Sequence, residues 1–242
     1  MTHQHYSSAF YDRAEQSAAA ARLITSLIKG WLPIGSVLDV GCARGTWLVA
    51  WMEAGCGDVT GLDGASVSAE TLLIPLERFR QAELKQPFQL GRRFDLVQCL
   101  EVAEHLPPAR SASLVDDLTA HGDAVLFSAA PPGQGGAGHV NERPYEFWHA
   151  LFAAKGYEAF DAIRPALIQH GRLPYWYRYN LLLYVKKGTA PLDLPGQLAP
   201  SQPVIDVAPW AFRLRKQFLR RMPQPVIDRL ADLNARMHRA CR

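Results

Sequence analysis

The chain has 242 residues with 26 Lys and Arg against 23 Asp and Glu, a formal net charge of +3. At 48% apolar and 20% charged, with Gly and Pro scattered rather than periodic, it is neither disordered, collagen-like nor a coiled coil. A chain of this length can bury roughly 70% of its unfolded surface without staples, and so small a charge excess argues against a nucleic-acid binder.

The first residues, Met1 to Tyr6, lack a basic run followed by an apolar core, so no secretory signal is expected. Ala9 to Trp31 follows as an amphipathic helix, with Leu23, Ile24, Leu27 and Ile28 at helical spacing and Gly30 and Pro33 closing it. Ser36 to Val40 is a short β-branched run, a buried strand ended by Gly41, and Thr46 to Ala54 returns as a helix. Asp58 to Leu62 predicts a second strand, Val67 to Leu73 a weak helix, and Phe94 to Cys99 a further strand. Ala109 to Ala120 predicts a helix, Asp123 to Ala129 a strand, Glu146 to Lys155 a helix, and Tyr157 to Ile163 with Asn180 to Val185 a terminal antiparallel pair. Strands alternating with helices at these lengths argue for a mainly parallel α/β sheet covered on both faces.

Two segments interrupt that rhythm. Residues 131–143, PPGQGGAGHVNER, form a Gly- and Pro-rich loop directly after a strand. Residues 188–208 carry four prolines and read as an extended linker, followed by two basic helical segments near 209–221 and 224–240. The expected organisation is therefore a domain over 1–187, a linker over 188–208 and a basic tail over 209–242. Residues 208–242 hold nine basic and two acidic side chains, a balance of +7, which leaves 17 basic and 21 acidic, or −4, on the rest. Cys42, Cys56, Cys99 and Cys241 form no CxxC pair and have no histidine at zinc spacing, so neither a structural metal nor a disulfide framework is expected, and a reducing, cytoplasmic compartment fits. No stretch approaches the roughly 18 apolar residues needed to span a bilayer.

In a parallel sheet, ligands bind beyond the carboxyl ends of the strands. The first strand-to-helix turn reads Val37-Leu38-Asp39-Val40-Gly41-Cys42-Ala43-Arg44-Gly45-Thr46-Trp47. Gly41 and Gly45 let a ligand approach the main chain, but the spacing is not that of a dinucleotide fingerprint. Asp39 beside the turn would repel a pyrophosphate and suit an ammonium or sulfonium.

VLDVGCARGTWL resembles the first motif of class I S-adenosylmethionine-dependent methyltransferases, an acidic residue followed by G-x-G-x-G, with Ala43 at the middle glycine. Two further segments match in order: Val59 to Gly64, with Asp63 placed 24 residues after Asp39, and Phe94 to Leu106, which contains Leu100 and an E-V-x-E-H run from Glu101 to His105. The resemblance implies a doubly wound, seven-stranded Rossmann-like sheet and S-adenosyl-L-methionine as cofactor. It also implies a cofactor site of Asp39, Gly41, Cys42, Ala43, Gly45, Asp63, Gly64, Leu100 and Glu101, with Glu83 and Leu84 near the adenine and Tyr11 and Ser17 on a covering helix. A carboxylate at Asp63 can accept both ribose hydroxyls.

A sulfonium methyl is already activated, so the protein has to position an acceptor and, for a hydroxyl, remove its proton. A neutral histidine with an ordinary pKa of about 6.5 is a suitable base, which nominates His139 in the glycine-rich loop and His105 after the fourth strand. Asn141, Tyr175 and Arg172 are candidates for the acceptor. The expectation is methyl transfer to a hydroxyl of a small molecule, a sugar or secondary metabolite. A small-molecule amine, or a partner subunit docking through its basic tail on a membrane surface or a protein, is the alternative. A nucleic-acid acceptor is not expected, because Leu100-Glu101-Val102-Ala103 stands where amino-group methylases of nucleic acid carry D/N-P-P-Y/F.

Overall fold

The computed structural model describes the backbone of residues 8–65, 67–199, 202–222 and 226, and side chains from Ser17 onward. The helices are α1 (Ser8–Trp31), α2 (Thr46–Glu53), α3 (Ser111–His121), α4 (Tyr145–Ala154), α5 (Arg164–Leu167), α6 (Tyr175–Asn180) and α7 (Trp210–Leu219). The strands are β1 (Ser36–Val40), β2 (Asp58–Asp63), β3 (Phe79–Gln81), β4 (Leu96–Leu100), β5 (Ala124–Ser128), β6 (Tyr157–Phe160) and β7 (Leu182–Lys186). They form one seven-stranded sheet in the order β3-β2-β1-β4-β5-β7-β6. β1 to β5 pair in parallel, and β7 enters antiparallel between β5 and β6. The order reverses beside β1, so the loops after β1 and β4 flank a crevice at the carboxyl edge.

Each strand feeds two cores, as its period of two requires. Val37, Leu96, Leu126 and Leu183 pack on one face with Ala20, Ile24 and Ile28 of α1 and Leu48 and Trp51 of α2. Leu38, Val97, Phe127 and Leu182 pack on the other with Leu114 and Leu118 of α3 and Trp148 and Phe152 of α4. The nearly unbroken burial of β1, β4 and β5 is that of parallel strands sandwiched between helices.

Several boundaries differ from expectation. Residues 67–73 form no α-helix: their regular part is a 3₁₀ turn, Ala69–Thr71, capped by the Ser68 hydroxyl on the Glu70 amide. Its side chains face no apolar surface, so nothing rewards a longer helix. β3 was not foreseen, because Phe79-Arg80-Gln81 has no apolar run and its residues are held by β2 at the sheet edge. Asn180 ends α6 rather than starting a strand. Residues 188–208 are extended but not free. Asp161 donates its amide to the Gly196 carbonyl and Leu198 its amide to Ala159, along the edge of β6. Leu194, Val204 and Ala208 are buried. Among the described residues no helix is long and apolar enough to cross a membrane. Apart from Val226, the helix expected over 224–240 lies outside the described residues, as does Cys241.

Candidate active site

The turn from β1 to α2 wraps around the end of β2. Gly41 and Cys42 both donate their amides to the Leu62 carbonyl, and Ala43 donates to Oδ2 of Asp63 at 2.6 Å. Gly41 has φ +82°, and a Cβ there would meet Cγ2 of Val102 at 2.3 Å, so the position admits no side chain. Ala43 occupies the left-handed region at φ 46° without being glycine, a strained position of the kind found beside ligands. The Cys42 thiol is buried, turned to the Ala43 carbonyl, and pushed well up by burial, which removes any nucleophilic character.

Asp39 lies under this turn and is 3% exposed. Its Oδ2 is buried without a hydrogen-bond partner. Burial raises its pKa to about 7, the Gln98 side chain pulls it back, and the Asp63 charge adds to the rise. An orphaned buried carboxylate oxygen is what a cationic ligand would complete. Asp63 follows at the end of β2, its Oδ1 accepting from the Gly64 amide at 2.6 Å, with a further lone pair on each oxygen open. β3 continues the edge so that Ala82 donates to the Asp63 carbonyl. Beside it Leu84 is buried, while Glu83 is exposed and caps the Lys85 amide. Among the sequence candidates, Asp39, Gly41, Cys42, Ala43 and Gly45 therefore lie on β1 and the turn after it, Asp63 and Gly64 at the end of β2 bonded to that turn, and Glu83 and Leu84 just after β3.

At the end of β4 the chain bends sharply. Glu101 takes φ 55°, and its two carboxylate oxygens accept from Gln134 Nε2 at 2.8 Å and Asn180 Nδ2 at 3.1 Å. Asn180 also donates to Gln134 Oε1, and Tyr145 donates its hydroxyl to Asn180. Neither Gln134 nor Asn180 was legible in the sequence, because they come from distant loops and carry no spacing signal.

The next turn, Ala103–His105, brings Glu104 and His105 against the glycine-rich loop. His105 and His139 meet edge to face with ring centroids 4.9 Å apart. Nδ1 of His105 bonds the Gly138 carbonyl at 3.2 Å, and Nδ1 of His139 bonds Oε1 of Glu142 at 2.8 Å. Both partners accept, so both Nδ1 atoms carry the hydrogen, and Nε2 of each ring is the nitrogen not spent on these bonds. Burial, and secondarily the neighbouring His139, push His105 below the ordinary histidine value, which keeps it neutral. Glu142 also accepts the amides of Gly133 and Gly135 at 2.7 and 2.8 Å. It is the residue that sets the loop's shape, and its role depends on a closure that spacing does not show. The Glu104 carboxyl is pushed well up by burial and by Glu101 beside it.

The acceptor candidates fare unevenly. Asn141 is buried and spends its amide on the Ala103 carbonyl and the Ser111 hydroxyl, while its oxygen accepts from Arg143. It ties the loop to the body. Arg172 is exposed in the turn before α6. Tyr175 is packed against Trp176 and against Phe212 of α7. Ser17 on α1 reaches the Tyr177 hydroxyl, which also accepts from Trp47 Nε1 at 3.2 Å. The side chain of Tyr11 lies outside the described residues. α7 closes this side of the site, Phe212 resting on Tyr179 and Arg215 donating to the Gln134 carbonyl.

A family profile described as "Methyltransferase domain" matches residues 11–162. A ubiquinone biosynthesis O-methyltransferase from Neisseria meningitidis serogroup C is 29% identical over 130 residues, 49% of this chain and 50% of that protein. The chain thus spans about half the length of the curated relatives it matches. Among solved structures, DesVI of Streptomyces venezuelae superposes with a TM-score of 0.53 at 19% identity, over 73% of this chain and 94% of its own. A SAM-bound amino pentose methyltransferase from Micromonospora echinaspora superposes at 0.54 and 20% identity, over 77% and 98%. At such identities the likeness is one of fold.

Proposed function

The chain belongs to the S-adenosylmethionine-dependent methyltransferase family, and on that premise we propose that it methylates a hydroxyl of a small molecule, a sugar or secondary metabolite, with the histidine pair managing the proton. The fit to the cofactor rests on the orphaned Oδ2 of Asp39, the glycine turn that exposes main chain, and Asp63 with open lone pairs. Asp39 would face the cationic part, Asp63 the ribose, Leu84 and Glu83 the adenine, and Leu100 and Glu101 the methyl end. When bound, the cofactor supplies an electrophilic methyl whose transfer to an aligned oxygen is an in-line displacement.

The chain's own work lies on the acceptor side. The observation that carries the hydroxyl reading is the pair of rings at His105 and His139, both with Nδ1 spent and Nε2 free. An amine acceptor is nucleophilic when neutral and needs little help, whereas a hydroxyl must lose its proton, and an imidazole with an open ring nitrogen is what that step uses. Glu142 anchors the His139 ring, and Gly136 leaves it room: a Cβ there would meet His139 Nε2 at 2.3 Å. On the other side stand the Glu101–Gln134–Asn180 network and α7. His139→Ala should lower kcat on a hydroxyl acceptor by roughly 100-fold with cofactor affinity unchanged. Methyl transfer to a panel of sugars and phenols, followed with methyl-labelled cofactor, measures it. Labelling of amines alone, or a variant as fast as the parent at saturating acceptor, removes this reading.

A second reading concerns α7. Trp210, Leu214 and Phe218 are exposed at i, i+4 and i+8, opposite the buried Lys216 and Leu219, and exposed Arg213, Arg220 and Arg221 flank them. An apolar crest between guanidinium groups suits an anionic lipid surface, and we infer that α7 docks there.

A further inference from the structure

A glutamine, Gln98, stands in the middle of the otherwise apolar strand β4. Gly61 on β2, Asp39 on β1, Gln98 and Leu126 on β5 are in register and form one row across four parallel strands. Side chains of such a row point to the same face of the sheet, and Leu126 packs there with Leu48 and Trp51 of α2. Gln98 and Trp51 are fully buried and Asp39 is nearly so. An amide taken from water into such surroundings is costly unless its atoms are bonded. Trp51 donates from Nε1 to Oε1 of Gln98 at 2.9 Å. An indole nitrogen donates and never accepts, so this bond fixes which way the amide lies, with its oxygen towards α2 and both N–H donors turned from it. Those donors, on Nε2, have no hydrogen-bond partner, and neither has Oδ2 of Asp39 on the adjacent strand. A buried donor and a buried acceptor are thus left open on paired residues directly below the glycine turn.

We propose that Gln98 is a positioning residue for the cofactor, donating from Nε2 to the ionised Asp39 carboxylate and so holding it charged and aimed at a cationic ligand, with Trp51 as the anchor of the amide. This rests on Asp39 as the partner of the cofactor's cationic part and deepens that reading. An apolar residue at position 98 would leave burial to keep Asp39 protonated at neutral pH. A lysine or arginine there would hold the carboxylate ionised but cancel its charge, and with it the attraction for a second cation. A neutral donor does both things the site requires, favouring the ionised form and leaving the full negative charge to the ligand. The other groups facing Asp39 do not supply this. Asp63 on β2 acts in the opposite direction, raising the Asp39 carboxyl as burial does, while Gln98 pulls it down. The thiols of Cys42 in the turn and Cys99 on β4 are themselves pushed up by burial and carry no charge near neutrality. Trp51 and Leu48 of α2 are uncharged, and Gly61 presents no side chain.

The test combines calorimetric titration of the full chain with S-adenosylmethionine between pH 6 and pH 9 and the titration of the Asp39 carboxyl itself in the ligand-free protein. The latter is followed by carbon-13 NMR and assigned with Asp39→Asn. Gln98→Met keeps the length and nearly the volume of the side chain and removes both donors. The Asp39 titration, at about 7 in the parent, should move up by about one pH unit. Affinity should then fall about tenfold at pH 6 and less than about twofold at pH 9, because above both midpoints the carboxylate is ionised with or without Gln98. A residue that merely fills space would cost the same factor at every pH. Trp51→Phe, which releases the amide oxygen, should move both readouts in the same direction by less, and it keeps the test open if circular dichroism shows that Gln98→Met does not fold. An Asp39 titration unmoved in Gln98→Met, or an affinity loss equal at pH 6 and pH 9, overturns the proposal and leaves Asp39 standing as the cation's partner. A parent whose affinity ignores pH while its Asp39 carboxyl titrates in the same range overturns the reading of Asp39, and the part of Gln98 in binding falls with it.

Discussion

Asp39 is desolvated before it is paired. Its carboxyl titrates at about 7, against 3.8 ordinarily, with burial the first cause. Holding it ionised without a cation beside it costs on the order of 4 kcal/mol. Because the folded state binds the proton more tightly than the unfolded one, this residue's contribution to stability falls as pH rises from about 4 to about 7. A cationic ligand reverses the preference, since it pairs with the ionised form and must displace the proton below neutrality. S-adenosylmethionine should therefore bind about tenfold more tightly at pH 8 than at pH 6, and Asp39→Asn should bind weakly with that dependence removed. Calorimetric titration at the two pH values decides this, and a pH profile shared by parent and variant would show that Asp39 is not the group concerned. Asp39 and Asp63 were legible because a strand, a turn and a glycine announce them within a few residues. Glu142, Gln134 and Asn180 were not, because each acts through a partner that is distant in sequence or reached only by loop closure. The bonds of Asn141 to Ala103 and Ser111 were hidden for a related reason: a polar residue in a polar loop carries no sign of its partners.

Among the elements, those with a repeating apolar pattern were legible and those held by a neighbour were not. α1, β1, β4 and β5 carry their own burial pattern. β3 is a strand because β2 offers it hydrogen bonds, and α6 is a helix of aromatics whose alternation says nothing until Tyr177 meets Trp47. α7 is amphipathic in an unusual sense, since its inner face holds Lys216, paired with Asp206, and Leu219, while its outer face is also apolar. Water around Trp210, Leu214 and Phe218 is unfavourable, and if α7 docks on lipid as proposed, the flanking arginines favour an anionic surface. With about 1 kcal/mol from each of Arg213, Arg220 and Arg221, reversing all three to glutamate should weaken binding to phosphatidylglycerol vesicles by roughly 100-fold or more. Replacing the three apolar residues with serine should abolish it, and vesicles of phosphatidylcholine alone should bind poorly. Sedimentation of the full chain with vesicles at low salt tests this, and a chain that stays in the supernatant ends the lipid reading.

For the molecule as a whole, the charge division between an acidic body and a basic tail suggested two parts joined by a proline-rich connector, yet the contacts cross that boundary throughout. Arg164, buried at the start of α5, is bonded to both oxygens of Asp161 and donates to the carbonyls of Tyr179 and Ile205, so it ties the connector to the wall of the candidate site. Leu194, Val204 and Leu219 bury their side chains on the body. At about 1.5–3 kcal/mol each, these three alone approach the 5–15 kcal/mol by which a whole domain is stable. Phe212 and Arg215 then cover Tyr175, Tyr179 and the Gln134 carbonyl, next to the network that holds Glu101. Prolines made the connector look like a spacer because they exclude regular structure, but an extended segment can be as fully buried along one face as a strand. We therefore expect residues 17–222 to unfold as one cooperative unit. A chain ending at Lys187 should melt far below the parent and lose methyl transfer, whereas one ending at Met222 should keep both its melting temperature and its cofactor affinity. Scanning calorimetry with S-adenosylmethionine titrations on the two truncations measures this. Equal melting temperatures for the shorter chain and the parent would restore the two-part organisation that the charge pattern suggests.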